Sequence, residues 1–239
     1  MRLDKYLCDC GAGTRKEVKK LIRSGSVTVD GKSVNTPEYK VDENSANVCI
    51  EGRLLVHKKF VYLMLNKPSG YISATWDREK PVVTELVPEE YFHFEVFPVG
   101  RLDIDTVGLL VMTNDGDLAH KLTSPVHHIP KTYYAEVDGE LTDEDVVAFS
   151  NSMDLGDFVT KPARLTIISS AEDKSCAEVV IAEGKFHQIK RMFEKVGKNV
   201  TYLKRIAMNK LALDESLGEG DVRELTIEEL ELLTCDSKK

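Results

Sequence analysis

The sequence predicts an α+β protein with a mixed, largely antiparallel sheet. After residue 59, seven short segments have the composition or alternation of β-strands, and a few amphipathic helical patterns lie between them. These segments lack the regular strand–helix alternation of parallel α/β folds. The first 58 residues differ, because two helical patterns precede a hairpin there. We therefore predict two domains, residues 1–58 and residues 59–239.

Residues 1–48 are predicted to form two helices and a hairpin. Apolar residues at helical spacing within residues 3–7 indicate the first helix. Thr14 and Glu17 have the spacing of a capping box, which predicts that a second helix begins there. The dipeptide Asp30-Gly31 between two alternating segments is a strong signal for a tight β-hairpin.

The second helix carries a basic face. Its apolar stripe leaves five cations on the opposite side: Arg15, Lys16, Lys19, Lys20 and Arg23. Such a face is commonly only solvated. The net charge of −8 hides an uneven distribution: residues 1–25 hold seven basic against three acidic side chains, residues 184–210 hold eight against one, and residues 211–239 hold nine acids against three bases. The two basic patches are therefore compatible with a nucleic-acid partner.

The remaining elements follow a connector at residues 52–59. Apolar or alternating runs predict strands at residues 61–65, 92–96, 109–113, 131–137, 164–168, 177–182 and 200–206. Helical spacing and capping patterns predict helices at residues 117–124, 141–152 and 189–196, and a last helix capped by Thr226 and Glu229.

The segment Gly100–Gly116 (GRLDIDTVGLLVMTNDG) places a carboxylate on a tight turn before a buried strand. Asp103 follows Arg101 by two residues, and the apolar run from Leu109 is expected to hold the turn rigidly. Covalent or acid–base chemistry needs such a rigidly presented group. The alternative is a plain turn, because Gly and Asp are ordinary turn residues.

A second segment, EGKFHQIKRMF at residues 183–193, predicts an amphipathic helix. Its polar side carries His187, Lys190 and Arg191. Taken alone, this pattern is more typical of an ordinary surface helix than of a binding site.

A third segment, residues 131–133, reads Lys-Thr-Tyr within a predicted strand. Tyr133 and Tyr134 must point to opposite faces of that strand. A tyrosine in a strand usually packs in the core or against a cross-strand neighbour, so packing is the alternative to a functional role.

Together these segments resemble the signature of the pseudouridine synthases, in the branch that modifies small-subunit ribosomal RNA. The resemblance implies that Asp103 is the catalytic nucleophile, acting on a nucleotide flipped out of the RNA. Tyr133 then stacks on the base and acts as general base, and Lys190, or else Arg191, pairs with the aspartate. Arg101 fills the vacated space or holds the RNA backbone. The reaction breaks the base–ribose bond and rejoins the sugar at carbon 5, with no cofactor or metal implied.

The N-terminal pattern resembles a small α-L RNA-binding motif, the one named after ribosomal small-subunit protein S4. This resemblance implies that the basic helix face contacts RNA. The start of the chain at MRLDKYL and the Gly-Arg-Leu-Asp-Ile-Asp-Thr version of the motif look closest to enzymes of 16S RNA, whose family target is uridine 516. The runner-up is a sister enzyme that modifies 23S RNA.

Two other function classes remain as alternatives. One is a ribosome-assembly factor with a lapsed active site, which the presence of Asp103, Tyr133 and Lys190 disfavours. The other is a glycosidase that uses Asp103 and Asp105 as paired carboxylates. We expect those two side chains to diverge, because they are only two residues apart.

The sequence offers no membrane, disulfide or metal signal. The N-terminus lacks the apolar core of a signal peptide, and no apolar run approaches the roughly 20 residues that span a bilayer. Five cysteines without a CxxC pair favour neither a disulfide framework nor a zinc site, and the adjacent His127 and His128 are poor metal ligands from one strand. The prediction is a cytoplasmic monomer that acts on ribosomal RNA or on a pre-ribosomal small-subunit particle.

Overall fold

The computed structural model describes residues 1–235 of the chain, which divide into two compact units. The first unit comprises Met1–Val61 and Val87–Val96, and the second comprises Tyr62–Leu86 and the described residues from Phe97 onwards. This division falls after Val61, close to the predicted boundary at residue 58, and it also assigns residues 87–96 to the first unit.

The first unit contains two helices and a small sheet. Its elements are α1 Leu3–Asp9, α2 Arg15–Arg23, β1 Val27–Val29, β2 Lys32–Ser33, β3 Val48–Ile50 and β4 Arg53–Leu55. The strands are ordered β2–β1–β3–β4, and each neighbouring pair is antiparallel. The Thr14–Glu17 capping box begins α2 as predicted, and the hairpin turns at Asp30-Gly31. The apolar faces of both helices pack on this sheet in one core cluster.

The second unit is built on a nine-stranded sheet. Its strands are β5 Tyr62–Lys67, β6 Phe97–Pro98, β7 Val107–Thr113, β8 Lys131–Asp138, β9 Arg164–Ser169, β10 Lys174–Ile181, β11 Val200–Met208, β12 Leu211–Ala212 and β13 Val222–Glu224. Its helices are α3 Gly116–Thr123, α4 Asp143–Ser150, α5 Gln188–Lys195 and α6 Ile227–Thr234, with a short 3-10 helix at Val83–Leu86.

The order of this sheet is β13–β5–β7–β11–β8–β10–β9, with β6 paired to β7 and β12 paired to β11. Strands β7 and β11 run parallel, whereas the other described pairs are antiparallel. The predicted mixed, largely antiparallel sheet is therefore confirmed.

The predicted strand at residues 92–96 is wrong. Glu89–Phe94 forms a 3-10 helix instead, and Glu95 follows it in the left-handed region with φ of 51°. Phe92 is 56% exposed, so the alternation of aromatic and polar residues does not mark a buried sheet face there. A residue in the left-handed region, such as Glu95 after Phe94, cannot continue an extended strand.

Strand β7 forms the centre of the second unit. All seven of its residues are buried, between β5 on one side and β11 on the other. Gly108 is required at the contact with β11, because a Cβ there would lie 2.3 Å from the carbonyl oxygen of Arg205. The segment that contains Asp103 therefore leads directly into the most buried strand of the unit.

Candidate active site

A buried lysine holds the turn that carries Asp103. Lys67 lies at the end of β5 and is fully buried. Its ammonium, which has three N–H groups, lies 2.9–3.2 Å from four carbonyl oxygens and shares its hydrogens among them: those of Pro68, Asp103, Ile104 and Thr106. Burial lowers the pKa of Lys67 to about 8, against the opposing influence of the nearby acidic groups Asp105 and Asp103. The turn is thus fixed from inside the protein.

Two further hydrogen bonds hold the same turn from a neighbouring loop. The Ser73 hydroxyl accepts from the Leu102 amide at 3.0 Å and donates to the Leu102 carbonyl, also at 3.0 Å. Within the turn, the amide of Thr106 donates to the carbonyl of Asp103 at 3.1 Å. The backbone on both sides of Asp103 is therefore held in place, as a rigidly presented side chain requires.

The Asp103 carboxylate lies beside two groups that sequence analysis placed on the polar side of α5. Lys190 Nζ is 3.8 Å from Asp103 Oδ2, and His187 Nε2 is 3.7 Å from Asp103 Oδ1. His187 occupies the N-cap position of α5 with φ of 51°, a conformation that is uncommon for a non-glycine residue. The helix therefore approaches Asp103 with its first turn.

Lys190 makes its closer contacts with Asp105. Its ammonium lies 2.6 Å from Asp105 Oδ1 and 2.7 Å from Oδ2. Burial alone would raise the pKa of Asp105, but the hydrogen bond and charge of Lys190 hold that pKa below its usual value. One ammonium therefore lies within ion-pair distance of both carboxylates, although Asp103 lines the cleft that contains Tyr133 and Asp105 does not.

Arg191, the other candidate partner, faces elsewhere. Its guanidinium bonds the carboxylate of Asp157 and donates to the Leu155 carbonyl at 2.7 Å. It also lies 5.0 Å from the centre of the Phe158 ring. One residue further along a helix is turned by about 100°, so Lys190 faces Asp103 and Arg191 faces the loop before β9.

Tyr133 shares a cleft with Asp103. It lies on β8, where burial alternates along the strand, and it is 7% exposed. The same cleft is lined by Arg101, which is exposed, and by Lys190. Tyr134 points to the opposite face, where its hydroxyl bonds Glu136 at 3.2 Å and Cys176 at 3.1 Å.

The basic residues of α2 lie in the first unit. Arg15, Lys16 and Lys20 are exposed, and Lys19 is half-buried. Within residues 1–235, none of these four side chains forms an ion pair. Their charges are therefore available to an anionic partner.

Lys67 and Ser73 are residues that sequence analysis missed as contributors to this site. The available signal for Lys67 was a cation at the end of an otherwise apolar run, since lysine is seldom fully buried without partners. Ser73 gave no local signal, because its role depends on a contact with Leu102, 29 residues further along the chain.

Residues 1–235 contain neither a membrane-spanning helix nor a cluster of candidate metal ligands. No helix in that part of the chain is long and apolar enough to cross a membrane. No group of three or more His, Cys, Asp or Glu side chains there is arranged to hold a metal ion.

Comparison with known proteins gives the family. A family model described as RNA pseudouridylate synthase matches residues 61–195, and one described as the S4 domain matches residues 1–46. The chain is 43% identical to an uncharacterised RNA pseudouridine synthase of Bacillus subtilis (strain 168), over 98% of both chains. The chain belongs to the RNA pseudouridine synthase family.

Two further matches agree with this family. The ribosomal small subunit pseudouridine synthase A of Vibrio parahaemolyticus is 39% identical, over 97% of this chain and 98% of that protein. A crystal structure of a pseudouridylate synthase superposes with a TM-score of 0.68 at 33% identity, covering 98% of this chain and 99% of that one. The predicted fold, with an N-terminal S4 domain before a synthase domain, and the predicted enzyme class are confirmed.

Replacing Lys67 should loosen the turn that carries Asp103. We expect Lys67→Met to lower the free energy of unfolding by about 2–4 kcal/mol, because four buried or partly buried carbonyls lose their donor. If Asp103 is the reacting group, the single-turnover rate should fall about 100-fold, the cost of a displacement near 1 Å at such a group. Urea unfolding and a single-turnover assay measure the two effects.

Lys131→Met is the matched control for stability. Lys131 is also a buried lysine, but its ammonium donates to one carbonyl, that of Ile129 at 2.8 Å. Its replacement should cost less than about 1 kcal/mol. Equal destabilisation by both substitutions would show that the four carbonyl contacts of Lys67 contribute nothing special.

Proposed function

We propose that this enzyme isomerises one uridine of 16S ribosomal RNA, uridine 516, to pseudouridine, with Asp103 as the nucleophile. The observation that carries the proposal is the pinned turn that presents Asp103 in one cleft with Lys190 and Tyr133. The relative from Vibrio parahaemolyticus, named as a small-subunit synthase, supports ribosomal RNA as the substrate.

The reaction is an isomerisation. The bond between N1 of uracil and C1′ of ribose breaks, the base turns, and a bond forms between C5 and C1′. The proton lost from C5 is balanced by the proton gained at N1, so the reaction needs no oxidant or reductant. A base stacked in RNA is out of reach of a carboxylate in a cleft, so the nucleotide must be flipped out first.

Asp103 acts as an ionised carboxylate, either at C1′ or through a step that makes a glycal. Lys190 lies 3.8 Å from Asp103 and stabilises its negative charge. At this distance the two groups do not form a close ion pair, so the lone pairs of the Asp103 oxygens remain free to attack. The tight pair is instead the one between Lys190 and Asp105, which holds the ammonium in place. Asp105 is therefore a positioning residue in this proposal.

Tyr133 stacks on the flipped base and takes the proton from C5. Its ring lies on the wall of the cleft that holds Asp103, and its neighbour Tyr134 is engaged on the opposite face. Arg101, exposed at the rim of that cleft, fills the space left by the flipped nucleotide or holds the RNA backbone.

RNA capture is assigned to the S4 domain and to exposed cations of the synthase domain. The face formed by Arg15, Lys16, Lys19 and Lys20 supplies the first patch. Arg191 belongs to the second patch, although its ion pair with Asp157 must rearrange for it to bind phosphate. The enzyme then works as a monomer in the cytoplasm, on ribosomal RNA or on a pre-ribosomal particle.

Replacing the α2 cations should separate capture from chemistry. We expect Arg15, Lys16, Lys19 and Lys20 changed together to Ala to weaken RNA binding, while the chemical step at saturating RNA keeps its rate. For every phosphate that is no longer neutralised, the plot of log affinity against log salt should flatten by about 0.7–0.9. An unaltered salt slope would mean that this helix face is only solvated.

A glycosidase is disfavoured by the state of Asp105. A second catalytic carboxylate must deliver a proton as general acid, which requires a raised pKa. The pairing with Lys190 instead keeps the pKa of Asp105 low, against the opposing effect of burial.

Mapping pseudouridines in ribosomal RNA from cells with and without this gene tests the target. Loss of the modification at uridine 516 of 16S RNA, restored by the wild-type gene and not by the Asp103→Asn gene, is the expected result. Loss at a site in 23S RNA would replace the proposal with the sister specificity. An unchanged map would contradict the ribosomal substrate, and with it the proposed function.

A further inference from the structure

A second cavity adjoins the catalytic cleft and has two buried cations on its wall. It encloses about 190 Å³ and shares Arg101 and Tyr133 with the cleft. Lys131 and Arg205 line its inner side, and Lys185 lies on its exposed rim. A water molecule occupies about 30 Å³ of liquid, so the cavity has room for a small ion or a ligand group.

Arg205 lines this cavity and carries a buried, unpartnered donor. The residue is 2% exposed and lies opposite Tyr133 in the ladder between β8 and β11. Its Nε donates to the Leu109 carbonyl at 2.7 Å, whereas its Nη2 has no hydrogen-bond partner within residues 1–235. A buried guanidinium N–H without an acceptor is costly, and such atoms usually mark a ligand or a function.

Lys131 supplies the second buried cation. It is 7% exposed, and its place two residues before Tyr133 on β8 puts both side chains on the same face of the sheet. Burial, and secondarily the charge of Arg205, lower the pKa of Lys131 to about 8. Two like charges in one cavity repel each other, so the pair has no structural benefit by itself.

The carboxylate on the wall of the cavity is already engaged. Glu183 is buried, and its Oε1 accepts from Gln188 Nε2 at 2.8 Å and from the Lys161 amide at 2.8 Å. The lining therefore holds four cations against this one acid. An anion with several acceptor oxygens would balance the charge of Arg205 and keep Lys131 charged.

We propose that this cavity binds a backbone phosphate of the RNA, next to the flipped nucleotide, with Arg205 and Lys131 as its donors. The inference rests on the proposed function, because the RNA reaches the cavity through the cleft that Tyr133 and Arg101 share with it. It differs from the surface contacts of α2, since a buried pair of donors reads the position of one phosphate rather than the general charge of the chain.

A methylphosphonate scan of the RNA tests the proposal. Each phosphate within three nucleotides of the target is replaced in turn by an uncharged methylphosphonate. RNA affinity is then measured in an Asp103→Asn background, which needs no catalysis. We expect one position to weaken binding about 10- to 100-fold, as for the removal of a charge-assisted hydrogen bond. With Lys131→Met added, the same replacement should have almost no further effect.

Three companion proteins sharpen this test. Lys131→Arg keeps the charge and should restore sensitivity at that position. Lys174→Met removes an exposed lysine at the other end of the β8–β10 ladder, where it pairs with Glu136, and should behave as the parent protein. Arg205→Met is the second cavity variant. Its RNA affinities are interpreted only if the variant unfolds as cooperatively as the parent protein.

The outcomes separate the possibilities. If every methylphosphonate position affects the parent and Lys131→Met equally, the proposal is overturned. If inorganic phosphate binds the parent and not Lys131→Met while no RNA position couples, the cavity holds a free anion and the RNA assignment is overturned. RNA affinity is measured without turnover, so it tests the phosphate site even if the proposed function is wrong. Failure of the wild-type enzyme to modify this RNA would contradict the proposed function.

Discussion

Asp103→Asn is expected to lower the single-turnover rate of pseudouridine formation by about four to six orders of magnitude. The substitution preserves the size and much of the hydrogen bonding of the side chain and removes its negative charge. Lys67 and Ser73 hold the turn through backbone atoms, so the variant should fold normally. RNA affinity should stay close to that of the wild type. A quenched single-turnover assay with one target RNA measures the rate.

Asp105→Asn is the matched control. The same turn carries both carboxylates, but Asp105 acts through Lys190, which it contacts at 2.6 Å. Without that ion pair Lys190 should be able to shift, with a rate cost of about 100-fold at most. Turnover of Asp103→Asn within tenfold of the wild type would refute the nucleophile assignment. Equal and severe damage from both substitutions would instead favour paired carboxylates.

The two carboxylates show where sequence reasoning reaches its limit. Local chemistry decides the capping box of Thr14 and Glu17, and the structure contains it. The separation of Asp103 and Asp105 depends on how the turn bends, which no periodicity describes. Their shared ammonium comes from Lys190, 85 residues beyond Asp105 in the chain. Sequence patterns therefore identified these residues as candidates, but only the fold gives their distances.

Burial of charge was also outside the reach of the sequence patterns. Lys67 lies just after a predicted strand and Lys131 begins another, and a lysine there is expected to be exposed because it is seldom fully buried. Whether such a lysine finds four carbonyls or one is decided by neighbouring strands and turns. The wrong strand prediction at residues 92–96 has the same cause. The alternation of aromatic and polar residues there does not show whether any side chain is buried.

Tyr133→Phe should leave RNA binding nearly unchanged and stop product formation. If Tyr133 both stacks on the base and takes the proton from C5, the ring suffices for binding and the hydroxyl is needed for the second step. On the path with a bond between C1′ and Asp103, an enzyme–RNA adduct should accumulate, and a denaturing gel detects it. Tyr133→Ala should in addition lose base stacking, worth about 1–3 kcal/mol per base, and bind RNA less tightly.

Tyr134→Phe provides the control for this pair of variants. It removes a hydroxyl from the adjacent residue of the same strand, where it bonds Glu136 and Cys176 on the opposite face. That change leaves the cleft wall intact, so turnover should stay within a few fold of the wild type. If Tyr133→Phe also turns over at the wild-type rate, a group other than Tyr133 must take the proton from C5. Tyr133 would then serve as a stacking and packing residue, and His187, 3.7 Å from Asp103, would be the next base to test.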